Sequence, residues 1–205
     1  MNSGDLFPPW LRLWHWANAG LFLTALVTGA SMHFAGHPAL IRFTSAVTLH
    51  NASGILLTIG WLVFVVGNLI SDNGRHYRVR FRGLVDALLL QARYYAWDIF
   101  RGAPHPFHAT ATMKFNALQQ LSYLGAMYLL MPLLGLSGWG FLFPRALPQT
   151  LFGLGSLWLV SLTHSAVAYL LVLFVLVHSY IITIGDSPWA NLWTMITGRH
   201  PPADP

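Results

Sequence analysis

Four stretches of this chain run twenty or more residues with almost no charge, and they decide which solvent the fold must meet. They extend from about Trp10 to Phe34, Val47 to Ile70, Leu118 to Leu142 and Leu157 to Ile184. A hydrocarbon core of ~30 Å takes ~20 helical residues to cross, so each stretch is long enough to span a bilayer. Only 8% of the 205 residues are charged and 55% are hydrophobic. A soluble domain carries about 25% charged residues, too many for this chain to be one. The first stretch is longer than a secretory h-region and no small-residue cleavage pattern follows it, so it reads as a retained span. The expected fold is all-α: a membrane four-helix bundle forming a single domain over residues 1–205, with no linker to divide it.

Charge gives the orientation. The segment between the second and third spans carries Arg75, Arg78, Arg80, Arg82, Arg93, Arg101 and Lys114, whereas the opposite loops carry only Arg42 and Arg145. The positive-inside rule then puts that segment and both termini in the cytoplasm of a multi-pass inner-membrane protein. Topology therefore explains the net charge of +5, and no nucleic-acid partner is needed. Within this segment, Gly83 to Phe100 reads as an additional amphipathic helix at the cytoplasmic interface, with Leu84, Leu88 and Ala92 on one face. Near the C-terminus, Trp189 and Trp193 stand four apart as an interfacial anchor against membrane lipid.

Cysteine is absent, which excludes disulfides, thiolate-held zinc, iron–sulfur ligation and thioether-linked haem. Glutamate is absent too, and the aspartates lie outside the spans, so a carboxylate proton relay within the membrane lacks its parts. Histidine is what remains. His15, His50, His164 and His178 fall within spans or at their ends; His33, His37, His76, His105, His108 and His200 fall in loops, at interfaces or in the tail, where a solvated side chain is expected.

An ionisable group inside a span is expensive and marks function. His164 and His178 are fourteen residues apart on one helix, about 21 Å of rise and within about 40° in azimuth. One face of the last span thus offers one imidazole towards each membrane surface. His15, near the start of the first span, matches the depth of His178; His50, near the start of the second, matches that of His164. The expectation is two haem b groups, His15 with His178 on the cytoplasmic side and His50 with His164 on the periplasmic side, each iron held by two neutral imidazoles. One zinc or copper ion shared by His164 and His178 is excluded by their separation. Ala19, Gly54 and Ala168, each four residues after a proposed ligand, would give a flat group bare backbone, and Gly60 and Gly67 add further small sites. Haem propionates want cations; Arg42 and Arg145 are the candidates outside, Arg12 and Lys114 inside, with ordinary interfacial charge as the competing reading.

The runs Arg12-Leu-Trp-His15-Trp-Ala-Asn18, His50-Asn-Ala-Ser-Gly54 and Lys114-Phe-Asn116-Ala-Leu-Gln119, together with His164 and His178, resemble the bacterial membrane cytochrome b subunits. That family comprises the subunits of formate dehydrogenase, thiosulfate reductase and nickel–iron hydrogenase, and the first two look most similar. The resemblance covers nearly the whole chain. It implies an electron-transfer subunit with quinone chemistry of its own, a menaquinone or ubiquinone meeting Asn116 and His178, with Gln119 or Gln120 nearby, at the cytoplasmic haem. It also implies a periplasmic iron–sulfur or multihaem electron-transfer or catalytic partner. For Asn116 a helix cap is the competing reading. Two other functions stay open: a stand-alone di-haem quinol oxidase acting on an external oxidant such as superoxide, and a haem-free anchor or small transporter.

Overall fold

The computed structural model describes residues 6–34, 41–79, 81–107, 110, 113–184, 187 and 189–199. His37, Arg80, His108 and His200 lie outside them. The described residues are mainly helical: α1 Pro9–His33, α2 Phe43–Ile70, a 3₁₀ turn Asp72–Tyr77, α3 Leu84–Ala96, α4 Ala117–Gly125, α5 Met131–Leu142, α6 Ser156–Ile181 and α7 Ala190–Thr197. A short hairpin, β1 Thr150–Leu151 with β2 Leu154–Gly155, precedes α6. The all-α class is as the sequence requires.

Among the described residues, three helices have both the length and the apolarity to cross a bilayer: Phe43–Ile70, Ala117–Leu142 and Ser156–Ile181. Their windows are only 22%, 17% and 11% buried within the chain, so apolar residues cover nearly their whole circumference, as lipid-facing helices require. With 25 residues, α1 is about 37 Å long at 1.5 Å per residue, ample for a span. His15 and Asn18 make it less apolar than the others.

The chain forms two compact units, both drawing on the long helices. The first comprises Met1–Arg12, Val66–Ala126 and Phe174–Pro205. Here the Trp10 ring lies against bare backbone at Gly67, where an added Cβ would stand 2.7 Å from the indole. Arg12 donates through Nη1 to the Ile196 carbonyl at 2.6 Å, placing a cation at the carbonyl end of α7. Trp189, Trp193 and Ile196 remain exposed at helical spacing, in the pattern of an interfacial anchor. Helix α4 starts with a complete capping box: Asn116 Oδ1 accepts from the Gln119 amide at 2.9 Å and Gln119 Oε1 from the Asn116 amide at 3.2 Å.

Helix α3 forms where expected, but its faces are assigned differently. Gln91 and Tyr94 are buried, Leu84 and Leu88 are half-buried, and Val85, Leu89 and Leu90 are exposed. The helix has two apolar stripes, and the Leu84–Leu88 stripe packs inward beside Gln91 and Tyr94. Phe81, Val85 and Leu89 form the outward one.

The second unit comprises Leu13–Val65 and Met127–Leu173. Phe64 is fully buried at its centre. Trp14 stacks on it at 4.6 Å and donates from its indole to the Gly60 carbonyl at 2.7 Å. Between α4 and α5 the backbone widens to a π-turn over Ala126–Leu130. Pro132 has no N–H to return to the preceding turn, and the Met127 carbonyl accepts instead from the Trp61 indole at 2.7 Å. Gly140 of α5 meets Val160 of α6, where a Cβ would approach to 3.1 Å; small residues bring membrane helices this close.

Candidate functional site

His50 enters the second unit from the eighth residue of α2 and His164 from the ninth of α6. Their rings face one another with centroids 6.2 Å apart and planes at 68°. Both line a cavity of about 550 Å³ bounded by residues of α1, α2, α5 and α6, within the range of cofactor sites. Its walls are apolar apart from a few groups, notably Asn51, Thr58, Trp61 and Trp139. Thr58 and Trp139 are tied together, the indole donating to Thr58 Oγ1 at 3.2 Å.

The residues fit a haem on three observations. Metal–imidazole bonds of about 2 Å on either side of one ion, plus the radii of the two rings, bring ring centres about 6 Å apart, as found here. Nδ1 of each ring is hydrogen-bonded to a neighbouring helix, His50 to the Ala25 carbonyl at 2.9 Å and His164 to Ser137 Oγ at 3.0 Å. That leaves Nε2 as the nitrogen for a metal. Gly54 and Ala168 line the cavity, and a Cβ built on Gly54 meets nothing within 4 Å: the bare backbone abuts open space large enough for a flat macrocycle. Among the described residues no group of three or more His, Asp or Glu side chains forms; His50 and His164 face each other as a pair.

The other expected site residues are placed as follows. His15 belongs to the second unit and touches Trp16 edge-on at 5.1 Å. His178 belongs to the first unit, stacked on Phe174 at 5.9 Å, with the Tyr123 hydroxyl 3.5 Å from its Nδ1. Asn116 and Gln119 spend their side-chain oxygens on the capping box, and the Asn116 amide donates to the Tyr95 hydroxyl at 3.1 Å. Lys114 donates to Asn73 Oδ1 at 3.3 Å and lies over the Phe7 ring; burial, reinforced by Arg75, pushes its amine down to about 8. Arg12 holds α7, as above. Arg42 and Arg145 are exposed. At Gly67 the Trp10 indole occupies the place of a side chain, so its small size serves helix packing, whereas at Gly60 a Cβ would make only ordinary contact with Asn18 and Trp14.

Two loop histidines are not solvated. His76 is buried at 6% exposure in the 3₁₀ turn, and burial, with Lys114 and Arg75 nearby, pushes it down to about 4. His105 is half-buried, and its Nε2 lies 3.3 Å from the Tyr95 hydroxyl. Thr28 and Ser137, which contact the Nδ1 atoms of His50 and His164, escaped the sequence reading. A hydroxyl in an apolar helix carries no signal until its neighbour is known.

Residues 6–198 match the family model described as prokaryotic cytochrome b561. The chain is also 41% identical over 195 residues to the Escherichia coli (strain K12) protein named "Putative cytochrome YdhU", covering 95% of this chain and 74% of that one. No solved structure matches.

Proposed function

The chain belongs to the prokaryotic cytochrome b561 family, a bacterial inner-membrane electron-transfer protein that binds haem b, and from that premise we propose that it carries electrons between quinone and a periplasmic oxidoreductase partner of the formate dehydrogenase or thiosulfate reductase type. The observation that carries this reading is the His50–His164 pair, 6.2 Å apart across an apolar cavity. Two haems per chain are proposed. His50 and His164 hold the periplasmic one, His15 and His178 the cytoplasmic one. A haem held by these histidines would supply one-electron exchange.

The chain's own residues do the rest. The apolar cavity walls exclude water, and the ring hydrogen bonds orient the imidazoles. Arg42 and Arg145 on one side, and Arg12 and Lys114 on the other, are proposed to face propionates. Quinone is proposed to approach the end of the bundle bearing Asn116, Gln119 and His178, where the Asn116 amide can donate to a carbonyl oxygen. The arginine-rich segment over residues 75–101 supports a cytoplasmic placement of that end and of both termini.

A pyridine haemochrome assay on the detergent-purified chain, with a reduced-minus-oxidised spectrum, tests the proposal. About two b haems per chain, reducible by quinol, is the expected result. Folded protein expressed with ample haem yet containing none would overturn it.

A further inference from the structure

The two facing imidazoles are held from behind by one device built twice. On α1 the Thr28 hydroxyl donates to the carbonyls four and three residues back, Thr24 at 2.7 Å and Ala25 at 3.1 Å. His50 Nδ1 lies against the same turn, 2.9 Å from the Ala25 carbonyl and 3.2 Å from Thr28 Oγ1. On α5 the Ser137 hydroxyl likewise donates to Leu133 at 2.7 Å and Leu134 at 3.0 Å. His164 Nδ1 lies 3.0 Å from Ser137 Oγ, and this imidazole also hydrogen-bonds the Leu134 backbone. Both hydroxyl residues are buried, at 0% and 6% exposure. In each case the next residue is glycine, and its bare backbone lies against the imidazole. A Cβ would stand 3.1 Å from His50 Cε1 at Gly29 and 3.5 Å from His164 Cε1 at Gly138.

The proton positions follow from valence. A carbonyl oxygen only accepts, so the ring nitrogen facing it must carry hydrogen. A hydroxyl has one hydrogen, and here a carbonyl on its own helix already takes it. Its oxygen therefore presents a lone pair to Nδ1–H. Both rings are thus the Nδ1–H tautomer, with the Nε2 lone pair kept for a metal.

We propose that Thr28 and Ser137 are positioning residues that fix the tautomer and orientation of His50 and His164 and set the redox potential of the haem those histidines bind. The proposal rests on the haem assignment above. Acceptors on Nδ1–H make Nε2 a stronger donor and favour the ferric state. Removing a hydroxyl weakens that donation while the backbone carbonyl still holds the ring, so the haem stays bound and its potential rises. The second haem is proposed to sit on a different pair of histidines, so its potential is expected to stay where it is.

The test is a potentiometric titration, read optically and by low-spin EPR, of the haem-loaded full chain carrying Thr28→Val, Ser137→Ala or both. The expected result is unchanged haem content with one midpoint moved positive, furthest in the double variant, and restoration by Thr28→Ser. An unmoved midpoint and EPR spectrum in the double variant overturns the proposal. So does an equal shift of both haems, or loss of haem from the near-isosteric Thr28→Val. His164→Ala separates this failure from that of the haem assignment. If His164→Ala leaves haem content unchanged, the ligand assignment falls; if it removes one haem while the hydroxyl variants change nothing, only the positioning role falls.

Discussion

His50 and His164 face each other at 6.2 Å between ring centres, from helices that are not consecutive in the chain. The spacing would accommodate one ion between the two rings, as the proposed haem site requires. Edge-to-face ring packing covers the same range of distances; what marks this pair is that the two rings line one cavity and that each is hydrogen-bonded through Nδ1 to its own neighbouring helix.

Replacing either ring should therefore empty one site only. His164→Ala is expected to lower haem content by about half while the remaining haem keeps its spectrum, because a second haem is proposed on His15 and His178. Haem quantitation with an optical titration checks this; loss of both haems or of neither would show the pairing to be wrong.

Gly54 borders the cavity with open space where a Cβ would be. Gly54→Ala is expected to retain haem, whereas Gly54→Phe would fill the cavity proposed to hold a haem and should exclude it. Circular dichroism would show the helices intact, separating exclusion from unfolding.

At Gly67 the Trp10 ring occupies the place of a side chain. Gly67→Ala is expected to destabilise the protein by about 1–3 kcal/mol, the usual cost of overpacking, and Trp10→Leu should recover part of it. Thermal unfolding in detergent measures both.

Asn116 starts α4 with a capping box. Asn116→Ala is expected to cost about 1 kcal/mol, while Asn116→Ser, which also caps, should keep most of the stability. The serine variant lacks the amide donor proposed for quinone, so slowed quinol-driven haem reduction at near-native stability is the expected outcome. An undiminished rate would remove Asn116 from the quinone site.

His76 is buried and pushed down to about 4, against an ordinary value of about 6.5 when unfolded. The unfolded chain binds the proton more readily between those values, so stability is complete above about pH 6.5 and falls as the pH drops towards 4. Unfolding midpoints at pH 7 and pH 5 should differ, and His76→Gln should reduce the difference.

Much of this was legible in the chain itself. Uninterrupted apolar runs fix four long helices because nothing else satisfies a backbone in lipid. The period of 3.6 residues places His164 and His178 on one face of α6. For Asn116 the helix cap was one of two readings open in the sequence, and the structure shows the cap. On α3 the sequence pointed to Leu84, Leu88 and Ala92 as the apolar face, but Leu84 and Leu88 pack inward beside buried Gln91 and Tyr94 and leave Val85 and Leu89 exposed.

By itself, then, the sequence determined the solvent, the helices and which residue types could hold a metal, since those follow from local composition and periodicity. The tertiary structure alone decided that Gly67 makes room for a tryptophan, that His76 is buried, and that Thr28 and Ser137 stand behind the imidazoles. The meaning of a glycine or a hydroxyl in an apolar helix depends on what the neighbouring helix brings against it, and that neighbour is distant in the chain.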